Sequence, residues 1–235
     1  NCQETLFDMA SKVPRHIAIV LDGNRRYAKR LGLQPWKGHE YGLKKLEELF
    51  KWCIELGIKE LTLYCFSTEN FKRDKKEIDY LFNLFWEEFS RIKEGKGPFA
   101  SKVRINVIGR QWMFSKKMRD AMLESMEKTK SNKALVVNLA LAYGGRQEIT
   151  DAVRKIIKLG IKKINDRTIA DYLYLKNEPD LFIRPGGEMR TSNFLTWQSV
   201  YSEFVFLDKL WPEFTKGDLI KCIKEFNQRE RRFGA

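Results

Sequence analysis

The chain reads LFIRPGGEMRTSNF at residues 181–194, where a short apolar run meets two adjacent glycines. This pattern predicts a strand that ends in a glycine turn and is followed by a helix. Gly186 and Gly187 would let the backbone approach a ligand closely, and a helix amino terminus would present free N–H groups to an anion. Arg184 and Arg190 add planar guanidinium groups that suit the oxygens of a diphosphate. The alternative is a loop with two solvated arginines, and the segment by itself favours neither interpretation.

A second segment near the amino terminus has the same organisation. Residues 16–28 read HIAIVLDGNRRYA, which predicts an apolar strand, a glycine turn and a helix. The strand ends in a carboxylate, Asp22, and the helix opens with Arg25 and Arg26. Two turns of the phosphate-binding type beside a carboxylate indicate two phosphorylated substrates and a divalent metal.

The rest of the chain alternates strands with helices. Strands are predicted at 61–66, 103–108, 135–143 and 203–207, and helices at 42–57, 77–92, 115–130, 147–159, 168–175, 194–201 and 216–231. This alternation predicts one α/β domain over residues 1–235, with an about six-stranded, mainly parallel sheet flanked by helices on both faces. Residues 1–14 are a lead-in, and 216–235 are a C-terminal helix and tail. Ligands of such sheets gather at the carboxyl ends of the strands, where one site can collect all the polar turns.

Composition narrows the class of protein. The 235 residues are 43% hydrophobic, which is enough for a full core. The net charge of +13 suits nucleic acid, an anionic membrane surface or phosphorylated substrates, and charge alone does not choose among them. Four scattered cysteines indicate a reducing, intracellular environment, and two histidines make a zinc site improbable. We expect a cytoplasmic protein without a signal peptide or membrane span, with peripheral contact at a membrane as an open alternative.

Together, these segments resemble the cis-prenyltransferases, the undecaprenyl diphosphate synthase family. The matching segments are 16–28, 38–39, 64–71, Asn138 with 143–146, 183–198 and 229–234. Arg25 and Tyr27 stand where bacterial members commonly have glycine and tryptophan, which is closer to the archaeal and eukaryotic branch. The resemblance implies an enzyme that condenses isopentenyl diphosphate onto an allylic prenyl diphosphate with a new cis double bond. Its product would be a polyprenyl diphosphate, the precursor of a glycosyl-carrier lipid.

The resemblance also implies roles for individual residues. Asp22 and Asn70 would be catalytic, and Asp22 with Glu203 would hold Mg²⁺. The allylic diphosphate would lie on Gly23, Asn24, Arg25, Arg26 and Tyr27, with His39 and Arg73 nearby. Ser67, Thr68, Glu69 and Phe71 would lie between the substrates, and isopentenyl diphosphate would bind Arg184, Arg190, Thr191 and Ser192. Arg232 would complete the site of a neighbouring subunit in a homodimer. An amide is a weak base, so Asn70 would orient water or phosphate rather than remove a proton.

Three other interpretations remain open. A non-catalytic partner subunit of the same fold would lack the strand-end aspartate and the arginine turn, and this chain has both. A prenyltransferase with a different acceptor would keep every feature described so far. A nucleic-acid-binding protein would interleave aromatic and basic residues on strands, whereas these arginines concentrate at glycine turns, so no nucleic-acid partner is expected. Glu203 could also be an ordinary strand-edge carboxylate.

The growing product also needs space. If the diphosphates lie at the carboxyl ends of the strands, an apolar chain must extend toward the amino ends. The helix predicted at 77–92 carries more apolar surface than one face requires, so Leu81, Leu84 and Phe85 are expected to line a tunnel. Leu135 and Val103 begin buried strands and are expected at its floor.

Overall fold

A six-stranded sheet forms the centre of the protein. The computed structural model describes residues 13–97 and 99–229. The strands are β1 (His16–Val20), β2 (Glu60–Ser67), β3 (Val103–Ile108), β4 (Leu135–Tyr143), β5 (Leu181–Pro185) and β6 (Glu203–Leu207). They run in the order β3-β4-β2-β1-β5-β6, and every pair is parallel. The predicted single α/β domain is confirmed, with a sheet that is parallel throughout.

Seven helices within the described part of the chain surround the sheet. They are α1 (Asn24–Arg30), α2 (Gly38–Glu55), α3 (Lys75–Lys93), α4 (Lys116–Thr129), α5 (Gly145–Lys158), α6 (Asp166–Tyr172) and α7 (Lys216–Gln228). The helices α2, α3, α4 and α7 pack an apolar core against one face of the sheet, which includes Ile17, Leu63 and Ile183. A smaller core on the other face includes Phe182 and Phe194. The chain between β4 and β5, with α5 and α6, covers that second face, where Leu175 packs with Phe182 and Phe194.

The helix predicted at 194–201 does not form. Residues 186–202 make a series of turns, and Ser192, Asn193 and Leu195 have φ values of 51°, 67° and 47°. Contacts from β2 and from the start of α5 accompany this shape: the Tyr64 hydroxyl donates to the Ser192 carbonyl at 3.3 Å, and the Gly145 N–H donates to the Asn193 carbonyl at 2.7 Å. The expected helix amino terminus after Gly187 is therefore wrong, and any anion there would be bound by other groups.

Side chains of α4 and of the turn that follows it cover the edge of the sheet at β3. The Thr129 hydroxyl accepts from the Ile105 N–H at 3.0 Å, and the Met126 sulfur lies 3.2 Å from the Val107 nitrogen. The amide of Asn132 donates to the Val103 carbonyl at 2.8 Å. These contacts satisfy backbone groups that would otherwise be open to pairing with another strand.

Candidate active site

Asp22 lies just beyond the carboxyl end of β1, between two arginines from different parts of the chain. Its carboxylate accepts from Arg184 Nη2 at 2.9 Å and from Arg26 Nη2 at 3.3 Å. The backbone carbonyl of Asp22 accepts from the Trp211 N–H at 2.8 Å, which fixes the position of the turn. The structure thus joins the two glycine turns that the sequence indicates, because β1 and β5 are neighbours in the sheet.

Arg184 is the buried centre of this arrangement, with a side chain only 6% exposed. One of its terminal nitrogens donates to the Arg190 carbonyl and to the Ser192 hydroxyl, the latter at 2.8 Å. Its Nε is buried and has no hydrogen-bond partner within the described residues. Arg184 therefore shapes the second turn through the terminal nitrogens and retains one unsatisfied N–H, which is costly to bury and favours an anionic ligand.

Glycine is required at position 186 for two reasons. Its φ of +103° lies in a region that side chains disfavour. A Cβ there would also lie 2.7 Å from Arg26 Nη2 and 3.2 Å from the Asp22 Cβ. The absence of a side chain leaves the Asp22 carboxylate accessible beside the turn, as the sequence pattern predicts.

A buried carboxylate, Glu77 on α3, organises the predicted allylic side of the site. Its side chain accepts from Arg73 Nη1 at 3.0 Å, lies 3.3 Å from His39 Nε2 and forms an ion pair with Arg25 at 3.6 Å. The sequence analysis missed Glu77, although its place four residues after Arg73 on an apolar helix was a usable signal. Three predicted binding residues are therefore held by one partner.

Burial lowers the pKa of His39 below its ordinary value, although the hydrogen bond to Glu77 opposes this. The same hydrogen bond lowers the pKa of Glu77, and burial opposes that shift. Both groups bind protons more weakly in the folded chain than in the unfolded chain, so both stabilise the fold more at neutral than at acidic pH. His39 is consequently neutral at pH 7.

We expect the free energy of unfolding to decrease as the pH falls below about 6.5, the ordinary pKa of histidine. It should decrease further as the pH falls below 4.5, the ordinary pKa of glutamate. His39→Gln should reduce the upper part of this dependence, to which the buried His16 also contributes because burial lowers its pKa, and should leave the lower part. Urea unfolding at a series of pH values measures both parts, and His16→Gln measured alongside gives the share of the other histidine. Identical pH dependence in His39→Gln and wild type would contradict the assignment.

Asn70 lies in a turn, residues 68–72, that follows β2. The side-chain oxygen of Asn70 accepts from the backbone N–H of Ser67 at 3.0 Å. The backbone N–H of Asn70 donates to the Ser67 hydroxyl at 3.2 Å. The oxygen is thus occupied, and the NH₂ group is the part of the amide that remains for a ligand. This geometry favours a donor that orients phosphate or water over a group that removes a proton.

The residues predicted to lie between the two substrates differ in their surroundings. Thr68 has a buried hydroxyl without a hydrogen-bond partner among the described residues, and Glu69 accepts from the Asn193 amide at 3.2 Å. Phe71 packs on Phe66 with ring centroids 5.0 Å apart, so its side chain belongs to the core.

The remaining predicted residues lie at or near the two glycine turns, apart from one that is not described. Gly23 caps α1 with φ +105°, Asn24 lines the first of the cavities described below, and Tyr27 packs on Tyr41. Arg190 forms an ion pair with Glu188, and Thr191 lies in the second turn. Arg232 lies outside the described residues.

Three adjoining cavities extend from this site between α2 and α3. The first, about 260 Å³, has a polar mouth that includes His39, Asn70 and Arg184. It shares Leu46 and Phe85 with a second cavity of about 470 Å³. The third, about 70 Å³, lies at the amino end of β3, where Val103 and Ile105 line it. The predicted wall residues Leu81, Leu84 and Phe85 line the first cavity, and Val103 lines the third.

Leu135 does not line any of these three cavities. It is fully buried and pairs in register with Val103 on the neighbouring strand. Ile105 lines both the second and the third cavity, so it occupies the junction between them. Val103 and Ile105, and not Leu135, therefore line the third cavity at the amino end of β3, and Leu135 lies directly beside Val103.

The structure does not bring Glu203 to this site. Glu203 begins β6 in register with Leu181, at the amino edge of the sheet, and its carboxylate accepts from Arg229 at 3.0 Å. Asp22 lies at the opposite edge, so the Asp22 and Glu203 side chains of one chain do not come together, and the contact with Arg229 fits the strand-edge alternative for Glu203. The role of Glu203 in binding magnesium stays a prediction. No group of three or more His, Cys, Asp or Glu side chains suited to a metal exists within residues 13–97 and 99–229. Asp208, which follows β6 and lies next to Gly187, is a further carboxylate at the edge that holds Asp22.

Comparison with known proteins identifies the family. Residues 20–234 match the prenyltransferase family model described as undecaprenyl diphosphate synthase. The chain is 49% identical over 230 residues to the tritrans,polycis-undecaprenyl-diphosphate synthase (geranylgeranyl-diphosphate specific) of Pyrococcus horikoshii, covering 94% of this chain and 87% of that protein. It is 44% identical over 234 residues to an isoprenyl transferase of Thermus thermophilus, covering 94% and 89%.

A solved structure extends this likeness to three dimensions. The crystal structure of lavandulyl diphosphate synthase from Lavandula x intermedia, in complex with dimethylallyl diphosphate, matches with a TM-score of 0.88. The identity is 33%, and the match covers 96% of this chain and 100% of that one. Family model, relatives and architecture agree, and the chain belongs to the undecaprenyl diphosphate synthase family of cis-prenyltransferases.

Proposed function

We propose that this protein extends an allylic prenyl diphosphate with isopentenyl diphosphate, forms a new cis double bond at each condensation and releases a polyprenyl diphosphate. One observation carries the proposal: the Arg26–Asp22–Arg184 cluster lies at the carboxyl edge of the sheet, beside the polar mouth of an apolar cavity. The cluster suits diphosphates, and the cavity suits a hydrocarbon chain. The names of the relatives support the same reaction.

Two groups of residues would bind the two diphosphates. Arg25, His39 and Arg73, held by Glu77, would bind the allylic diphosphate, while Arg184 and Arg190 would bind isopentenyl diphosphate. Arg184 reaches both turns, because it donates to Asp22 and to the Ser192 hydroxyl. This contact would hold the two substrates at a fixed separation, which is how positioning lowers the barrier of a two-substrate reaction.

A magnesium ion fits this site through a single carboxylate. Magnesium prefers one or two carboxylates, with phosphate oxygens and water as its remaining ligands, and Asp22 can provide the carboxylate. The Asp22 side chain is 29% exposed, and Gly186 leaves space beside it. Bound magnesium would neutralise charge on the departing diphosphate. Arg26 would stabilise the same charge, while the Asn70 amide would donate to phosphate or water.

Incubation with isopentenyl diphosphate, Mg²⁺ and a series of allylic diphosphates, followed by chromatography of the dephosphorylated products, tests the proposal. Because the Pyrococcus relative is named as specific for geranylgeranyl diphosphate, we expect that starter to give the highest kcat/KM. Omission of Mg²⁺ should abolish elongation. Absence of any elongated product with every starter would refute the proposal and favour a non-catalytic partner subunit.

The second candidate function is transfer of the prenyl group to an acceptor other than isopentenyl diphosphate. The structural match to a lavandulyl diphosphate synthase, solved in complex with dimethylallyl diphosphate, supports this candidate. Labelled dimethylallyl diphosphate incubated without isopentenyl diphosphate distinguishes the two. Formation of a labelled condensation product in that mixture would show that isopentenyl diphosphate is not the only acceptor.

Filling the junction of the cavities should shorten the products. Ile105→Phe adds volume where the second and third cavities meet, so fewer isoprene units fit. Leu135→Ala should have the opposite effect, because it removes volume beside Val103, and should cost about 2–5 kcal/mol of stability. Product sizing measures both changes. Unchanged product lengths in two folded, active variants would place the product chain elsewhere.

We further propose a homodimer. On the second face of the sheet, Phe204 and Phe206 of edge strand β6 are half-buried and stacked, with ring centroids 6.1 Å apart. Val200 and Tyr201 nearby are 67% and 58% exposed. An apolar edge of this kind supports an interface with a second copy.

Mixing of two inactive variants tests subunit sharing. If each site takes Asp22 from one chain and Arg232 from the other, a mixed dimer of Asp22→Ala and Arg232→Ala contains one intact site. After complete exchange about half of the dimers are mixed, so about a quarter of wild-type activity should return. No recovery, with exchange verified by native mass spectrometry, would contradict the shared site.

We propose a cytoplasmic location with contact at the membrane surface. Cys53 and Cys222 are buried free thiols, which supports a reducing compartment. Within the described residues, no helix combines the length and apolar character needed to cross a bilayer. A long polyprenyl product must nevertheless reach a lipid phase.

A further inference from the structure

An exposed aliphatic cluster lies where α5 ends. Ile157, Leu159 and Ile164 are 69%, 56% and 52% exposed, although all three fall within eight residues of sequence. Isolated exposed aliphatics are normal, but a group of them on one short segment indicates an interaction surface.

The same segment is strongly basic. Residues 154–164 contain Arg154, Lys155, Lys158, Lys162 and Lys163, all exposed, and no acidic residue. Arg154 forms an ion pair with Asp151 at 3.3 Å, whereas none of the four lysines forms one with any residue that the structure describes. Lysines at a helix carboxyl terminus stabilise the helix dipole, which accounts for Lys155 and Lys158. That effect does not explain Lys162, Lys163 or the aliphatic side chains.

The backbone of this segment, which we name the basic–aliphatic surface (residues 154–164), has a defined shape. Gly160, with φ +67°, ends α5, and its N–H donates to the Ile157 carbonyl at 3.0 Å. The Ile161 N–H donates to the carbonyl of Ile156, whose side chain is fully buried. The buried neighbour anchors the turn while Ile157 remains exposed.

The basic–aliphatic surface lies at the amino edge of the sheet. The helix α5 starts at the carboxyl end of β4, and its 14 residues extend about 21 Å back along the sheet. The cavities between α2 and α3 run toward the same edge, where Val103 begins β3. The surface and the far end of the cavities therefore lie at the same edge of the sheet, on its opposite faces.

We propose that the basic–aliphatic surface docks the protein on bilayers that contain anionic lipids. Lysine ammonium groups are attracted to the negative leaflet, while exposed aliphatic side chains insert at the boundary between head groups and acyl chains. The positive charge of the surface opposes pairing with a second copy of itself. The proposal rests on the proposed function, because it would bring toward the lipid the edge of the sheet to which the cavities run.

Co-sedimentation with vesicles tests the docking independently of catalysis. The wild-type chain should bind vesicles of phosphatidylcholine mixed with phosphatidylglycerol and bind pure phosphatidylcholine vesicles much more weakly. Lys158→Glu/Lys162→Glu/Lys163→Glu should weaken binding by at least about a hundredfold, because each lysine near an anionic surface contributes about fivefold. The matched control Lys128→Glu/Lys221→Glu/Lys224→Glu has the same net charge on other exposed positions and should bind nearly as wild type.

A second variant tests the aliphatic contribution. Ile157→Ser/Ile164→Ser keeps the charge and should lower vesicle binding about tenfold or more, with no change in mass by native mass spectrometry. Equal losses in the two lysine triple variants would show a non-specific charge effect and overturn the proposal. Wild-type vesicle binding by the serine variant, together with a smaller oligomer, would assign the surface to a subunit contact instead. Neither readout requires turnover, so failure of the proposed reaction would be recognised separately.

Discussion

Asp22→Ala is expected to lower kcat by about a thousandfold or more, the largest effect of any single substitution proposed for this chain. The carboxylate is the strand-end group that would carry the metal, and a contact that stabilises charge in the transition state contributes several kcal/mol, at about 1.36 kcal/mol per tenfold in rate. The fold should survive, because the contact from the Trp211 N–H uses the backbone carbonyl of Asp22, which the substitution keeps.

Asp22→Asn separates charge from packing. The asparagine oxygen can still accept from Arg184, so the buried guanidinium keeps a partner, yet the negative charge is lost. We expect a similar loss of turnover in Asp22→Asn and a smaller loss of stability than in Asp22→Ala. Asp79→Ala, at an exposed carboxylate on α3, is the control for general loss of an acid. Turnover within threefold of wild type in Asp22→Asn would contradict the role assigned to the charge.

The second large effect is expected at Arg190. Arg190→Ala should raise KM for isopentenyl diphosphate by about tenfold to a hundredfold, because a hydrogen bond to a charged group contributes about 1.5–3 kcal/mol. The side chain is 61% exposed and pairs only with Glu188 among the described residues, so its removal should cost little stability. Steady-state kinetics with each substrate varied in turn measures the change.

The matched variant for this experiment is Arg25→Ala, on the predicted allylic side. It should raise KM for the allylic substrate more than KM for isopentenyl diphosphate, the reverse of Arg190→Ala. Glu77 would retain Arg73 and His39 as partners in this variant, so the binding group stays largely in place. If both variants affect both substrates equally, the two sites have been assigned incorrectly.

The sequence predicted the sheet well, because a buried parallel strand appears in the sequence as a local apolar run, such as residues 17–21. It also predicted the edge at which the site forms, since that edge follows from strand direction alone. Prediction failed where distant groups set local structure. The turns at 186–202 depend on Tyr64 and Gly145, which no local pattern of Ser192 or Asn193 reveals.

The difference between local and distant signals also explains which residues of the candidate site the sequence revealed. Asp22 was found because it directly follows a strand, and Asp208 could have been found by the same rule. Glu203 was assigned by resemblance, and the register of β6 with β5 places it at the other edge. Glu77 was overlooked because no local pattern shows that a carboxylate at the start of an apolar helix is buried. Only the tertiary structure shows that it is 3% exposed.

The pairing of Arg184 with Asp22 has a consequence for the affinity of the proposed isopentenyl diphosphate site. Both charges have a partner within the protein, so a diphosphate that binds Arg184 would exchange partners rather than meet an isolated guanidinium. Such exchange would reduce net affinity, because part of the attraction replaces an existing ion pair. The Nε of Arg184, which has no partner among the described residues, is the N–H that a diphosphate could bind without breaking that pair. Arg184 would therefore contribute more to the direction from which the diphosphate enters than to the strength with which it is held.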